Sequence, residues 1–221
     1  MTFLFDKYWI ADLAVWTQLL PILAFLRLRR RPPALTILAV LLSLSFAVDA
    51  YEAYLGAHHI NNLWASHLFA PLEGTLILWS FSYWQAGRTA QLTVRVAAAL
   101  YFMVSCVLES TIERLDRYPA TVYPLISLLV LAVSAYTIVT QARLANDPLP
   151  RHDWFWVSIA WCLYQATTVI TQPLANMLLA TRSPLLLPLF NLRAATQVVS
   201  YTLMGVGMFA AARHREPEPT G

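Results

Sequence analysis

Glu73 and Arg193 are the residues hardest to reconcile with the apolar sequence around them. Glu73 lies between Trp64 and Trp84, with Pro71 just before it and Gly74 beside it. Arg193 is the one basic residue clearly inside an apolar run, close to Asn191 and Gln197. If the runs cross a bilayer, a charge near the middle costs about 2.5–3.5 kcal/mol on insertion scales. Such a group has to be paired, protonated or bathed in a cavity. A Glu73–Arg193 or Glu109–Arg193 ion pair answers that need in two ways. It is either a clamp that holds helices together or part of a ligand or ion site.

Residues three or four apart share a helical face. Asp49 with Glu52, Glu109 with Glu113, and Gln172 with Asn176 each give one polar face near one membrane surface. Together these faces could line a common vestibule. Glu52, Glu113 and Asn176 lie nearest the span ends and read as groups solvated among lipid headgroups. The segment Tyr164, Gln165, Thr167, Thr168, Thr171, Gln172, Pro173 is the most polar helix interior and the best candidate for a cavity wall. The expected site is therefore Glu73 and Arg193 as a floor, with Asp49, Glu109, Gln165, Gln172 and Asn191 around them.

Three of the five histidines, His58, His59 and His67, fall between Asp49 and Glu73. They are weak metal candidates, since no His-x-x-x-His or His-Glu-x-x-His spacing occurs. Interface histidines titrating near neutral pH are the simpler reading, and no metal or cofactor is expected. Ser66 and His67 are adjacent, which is not by itself the geometry of an activated nucleophile. Six glycines make no phosphate loop, and Gly205-Val206-Gly207 reads as a helix-packing pair. Cys106 and Cys162 lie in apolar runs without a partner motif and read as buried, inert thiols.

The elements that hold these groups follow from composition. The chain has 221 residues, 58% apolar and 12% charged, with a mean hydropathy of +0.55. That charged share is about half the usual one for a soluble domain. Seven windows are long and apolar enough to cross about 30 Å of hydrocarbon, near 8–28, 34–55, 62–85, 92–113, 119–141, 153–178 and 185–211. The fold expected is an all-α integral membrane bundle of seven helices over residues 1–212, with a short polar tail at 213–221. The first span lacks a basic start and a small-residue cleavage site, so it reads as retained.

The net charge of +3 does not mark a nucleic-acid binder, because the arginines stand in short clusters between apolar runs. Arg27, Arg29, Arg30, Arg31, Arg88, Arg95, Arg143, Arg151, Arg213 and Arg215 fall on one side of the bundle; Lys7, Arg114, Arg117 and Arg182 fall on the other. That bias puts the C-terminus in the cytoplasm and the N-terminus outside, in a bacterial-type inner membrane. Trp9 and Trp64 would anchor the outer edge, and Trp84, Trp154 and Trp156 the inner one.

Pro71-Leu72, Pro124-Leu125 and Pro188-Leu189 recur in the third, fifth and seventh spans, each after a span that ends in a polar pair. One leading helix plus three parallel hairpins would give that pattern, as in some transporters. Prolines marking helix starts would give it too. Receptors, sugar exporters with a Pro-Gln signature and membrane ceramidases share the seven-span plan. Here Gln172-Pro173 is in the reverse order, the ceramidase-like histidine set is missing, and the sole lysine, Lys7, excludes a retinal Schiff base in the last span. Three function classes remain. The first is a protein that binds or moves a small solute or ion through an outward-facing polar cavity. The second is a non-enzymatic subunit that meets other membrane subunits as well as the lipid bilayer. The third is a membrane-embedded hydrolase or lipid-modifying enzyme that uses Asp49, His58 or His67.

Overall fold

Prolines and short polar turns cut the apolar sequence into helices. The computed structural model describes residues 9–115 and 117–214, with the side chains of Arg213 and His214 excepted; among them it contains helices and no strand. The order is α1 (Trp9–Thr17), α2 (Leu19–Leu26), α3 (Pro33–Ala57), α4 (Leu63–Ser82), α5 (Arg88–Thr111), α6 (Val122–Leu144), α7 (Asp153–Ala180) and α8 (Leu186–His214), with a 3-10 turn at Leu149–Arg151 before α7. Helix α8 continues past residue 212, where a polar tail was expected to begin. Lys7, Arg215 and the rest of that tail lie outside the described residues, as do the side chains of Arg213 and His214.

Five of these segments are long and apolar enough to cross a membrane: Trp9–Leu26, α3, α5, α6 and Leu186–Ala212. Helices α4 and α7, with 20 and 28 residues, have the length but not the hydropathy. The physical reason is local. Helix α4 carries Ser66, His67 and Glu73, and α7 carries Gln165, Thr168, Thr171 and Gln172, whose side chains turn into the bundle.

Helix ends follow ordinary capping chemistry. Pro33 opens α3 at a position where its missing N–H is no loss. The first apolar segment is broken because Pro21 cannot donate to the carbonyl of Thr17, four residues back. The break at Gln18 separates α1 from α2 and leaves the Gln18 side chain fully buried. Helices α3 and α7 close alike. His59 (φ 57°) and Arg182 (φ 49°) adopt the left-handed conformation, and the next N–H groups, of Ile60 and Ser183, reach back to the carbonyls of Leu55 and Leu178 at 3.0 and 2.9 Å. This is a Schellman closure.

The three expected hairpins are not packed alike. Helices α3 and α4 lie together, as do α7 and α8, but α5 packs mainly on α4 and α6 mainly on α7. Gly74 explains the first of these. A Cβ there would come within 2.3 Å of Tyr101 Cε1 on α5, so only glycine allows that approach. The Tyr101 hydroxyl donates to the carbonyl of Ala70 at 3.0 Å. On the other side, Ser127 of α6 donates to Gln165 Oε1 of α7 at 2.6 Å. Gly205 and Gly207 do serve packing, against Leu20 of α2 and Trp156 of α7 respectively.

Leu35, Leu38, Ile77, Leu78, Phe81 and Met204 form the heart of the core, while Leu68, Ile170 and Trp16 stand among the large apolar side chains left exposed on the perimeter. Trp84 and Trp154 belong to the core, at 9% and 6% exposure, so they are not anchors at a bundle edge as expected. Cys106 is exposed and Cys162 half-buried, both free, so the expectation of two buried thiols also fails. An apolar run does not say which side of its helix faces out.

Candidate functional site

A cavity of about 820 Å³ lies at the end of the bundle where α3 and α7 finish and α4, α6 and α8 begin. Its walls come from α1, α3, α4, α6, α7, α8 and the loop before α6; α2 and α5 contribute nothing. Among the described residues three carboxylates face it, Asp49 and Glu52 from α3 and Glu73 from α4, with one guanidinium, Arg193 from α8. Helical rise of 1.5 Å per residue puts Arg193 and Asp49 about 10–12 Å in from that end of their helices and Glu73 about 15 Å in. Glu73 thus sits halfway along α4.

No carboxylate among the described residues lies within ion-pair distance of Arg193, so neither the Glu73–Arg193 nor the Glu109–Arg193 pair forms. Arg193 Nη2 donates instead to the Tyr164 hydroxyl at 3.1 Å, and the guanidinium carbon lies 5.9 Å from the centre of that ring. Its Nε is buried without a partner. Arg193 still acts electrostatically on Asp49, Glu52 and Glu73 across the cavity.

Two of the carboxylates, Asp49 and Glu52, are held by neutral groups. Gln18 Nε2 donates to Asp49 Oδ2, which is what the break before α2 accomplishes. Ser66 Oγ donates to Glu52 Oε1 at 2.6 Å, and Asn62 Nδ2 donates to the Glu52 carbonyl at 3.0 Å. Glu73 and Tyr123 both line the cavity, from α4 and α6. Gln172 faces the cavity at 3% exposure, and its Oε1 has no partner.

Other expected members of the site are elsewhere. Glu109 turns away from the cavity and meets His67, Oε2 to Nδ1 at 2.5 Å, the ion pair formed among the described residues. His67 Nε2 donates to the Arg117 carbonyl at 2.8 Å. A carbonyl only accepts, so Nε2 carries a hydrogen and the Nδ1–Glu109 contact shares one further proton. Gln165 is committed to Ser127, and Asn191 does not line the cavity.

Glu52, Glu113 and Asn176 are not merely solvated groups at a span end. Glu113 accepts from the N–H groups of Ala120, Thr121 and Val122 at 3.2, 2.6 and 3.3 Å, satisfying donors that the start of α6 leaves open. Asn176 accepts from the Tyr118 N–H at 3.1 Å and donates to the Tyr118 carbonyl at 2.8 Å. Tyr118 and Pro119 form part of the cavity wall. Glu113, Asn176 and the His67–Glu109 pair therefore secure the rim loop, and the cavity groups lie below it.

His58, His59 and His67 do not come together. His58 is exposed, with Nδ1 on the Tyr54 carbonyl at 2.8 Å, and His59 is an exposed turn residue. Among the described residues no three His, Cys, Asp or Glu side chains are grouped to hold a metal.

Sequence reasoning missed Gln18, Ser66, Tyr123 and Tyr201. Gln18 carried a signal, a polar residue three before a proline inside an apolar run. The tyrosines carried none, because their hydroxyls are invisible in an apolar count. Compared with known proteins, the chain matches no family model, no curated protein and no solved structure.

Proposed function

We propose that this protein is a seven-span membrane protein of the bacterial-type inner membrane, and that it binds or moves a small solute through a cavity open to the outside. The carrying observation is that Arg193, Glu73 and Gln172 all line one cavity and that, among the described residues, the arginine has no ion-pair partner and Gln172 Oε1 no hydrogen-bond partner. A buried charge kept for packing alone should be paired. Helices α4 and α7 complete the seven spans, since polar side chains lining a cavity lower hydropathy without facing lipid. The arginine bias places the cavity end outside. A hydrolase reading is weaker, because the carboxylate–histidine contact formed among the described residues has both ring nitrogens engaged and lies off the cavity. A subunit reading is weaker because the polar groups converge rather than pair off.

Adjacent cysteines test this. Ser45 lines the cavity and Leu44, beside it, is exposed on the perimeter. Ser45 lies about 18 Å of helical rise below the end of α3. In a background with Cys106 and Cys162 replaced by alanine, Ser45→Cys should react in intact cells with a membrane-impermeant thiol reagent and Leu44→Cys should not. Equal protection of both would reject an outward-open cavity.

A further inference from the structure

The charge and wall chemistry of the cavity point to the class of solute: we infer that it receives a small organic ammonium ion bearing an apolar group. This rests on the reading of the cavity as a solute site. Among the described residues, Asp49, Glu52 and Glu73 stand against one guanidinium, that of Arg193, so the described lining carries an excess of carboxylates over cations. An anionic solute would meet that excess at close range in a medium that screens it poorly. A cation would relieve it.

The remaining walls suit an organic cation rather than a bare metal ion. Phe69, Tyr118, Tyr123, Tyr164, Phe190 and Tyr201 give an aromatic lining, and aromatic faces attract ammonium groups most strongly where water is excluded. Gln172 Oε1 is an unpartnered acceptor in a side chain 97% buried at the cavity wall, and an N–H donor is what it lacks. The volume of about 820 Å³ fits a small molecule. Metal binding would instead need several ligands converging within bonding distance, and among the described residues no such group of His, Cys, Asp or Glu exists.

Arg193 has a defined place in this arrangement. Held by the Tyr164 hydroxyl, it offsets part of the carboxylate charge when the cavity is empty without contacting any one acid. The acids remain free to take the ammonium group, while the aromatic walls take the apolar part.

The test uses the full chain in lipid nanodiscs and a series of matched probes: phenethylammonium, tetramethylammonium, phenylalanine, 3-phenylpropionate and sodium ion. Binding is read by calorimetry and by the rise in unfolding temperature. Phenethylammonium should bind and stabilise, with 3-phenylpropionate and sodium inactive. Glu73→Gln and, separately, Glu52→Gln should each weaken phenethylammonium about tenfold, the order expected for losing one partly desolvated charge contact. The second variant serves if the first fails to fold. Preferential binding of 3-phenylpropionate, or of phenylalanine with no response to phenethylammonium, would overturn the cation assignment and leave the solute cavity standing. If no probe binds although Ser45→Cys is labelled from outside, the ammonium inference falls by itself. If no probe binds and Ser45→Cys is protected, both it and the cavity reading fall.

Discussion

Two groups of charged residues lie near the same end of this bundle, and they are satisfied in opposite ways. Around the rim, every principal group has a directed partner: His67 at both nitrogens, Glu113 at three backbone N–H groups, Asn176 at both ends of its amide. In the cavity, Arg193 has a tyrosine hydroxyl but no carboxylate, and Gln172 Oε1 has nothing. Burial of charge therefore does not by itself mark a site. What distinguishes the cavity is that its charged groups line open space with no ion pair among the described residues, while the rim groups are tied to one another and to the backbone, with Glu109 Oε1 alone of those named left without a partner.

That contrast should appear in stability. The largest effect is expected at the rim pair. His67→Ala leaves the largely covered Glu109, at 11% exposure, without its histidine partner, and breaking such a pair when buried costs about 3–5 kcal/mol; a clear fall in the detergent unfolding midpoint is the readout. An unchanged midpoint would remove the rim pair from any structural role. A smaller loss follows for Asn176→Ala, which frees a backbone N–H and carbonyl at Tyr118. It should cost about 1–3 kcal/mol and raise the amide exchange of residues 117–121. The smallest is at the cavity. Glu73→Gln keeps the shape and removes a charge that no ion pair compensates, so the midpoint should stay within about 0.5 kcal/mol of the parent or rise.

The sequence made part of this contrast readable. Asp49, Glu73, Gln172 and Arg193 stand out because ionisable and amide side chains are rare within apolar runs, and all four face the cavity. Glu109 and Gln165 were equally conspicuous, yet they serve contacts between helices. Periodicity shows that residues share a face but not which neighbour the face meets. Here that is decided by packing: the approach of Tyr101 to Gly74 sets α5 against α4, and Glu109 is then found on His67 rather than on Arg193. Seven helical stretches were legible from length and hydropathy, with α4 and α7 the two whose inward polar groups pull them below a simple apolar standard. Hairpin packing was not legible, because the recurring Pro-Leu pairs fix where helices start and say nothing about lateral neighbours.

Side-by-side unfolding of Glu73→Gln and Glu109→Gln, each alone and each with Arg193→Gln, tests most directly whether the cavity charges are kept for a solute or for the fold. Glu109→Gln should lower the midpoint whatever occupies position 193, and Glu73→Gln should not lower it. A Glu73→Gln protein that unfolds as early as Glu109→Gln, and that Arg193→Gln restores, would show that Glu73 and Arg193 are a structural clamp.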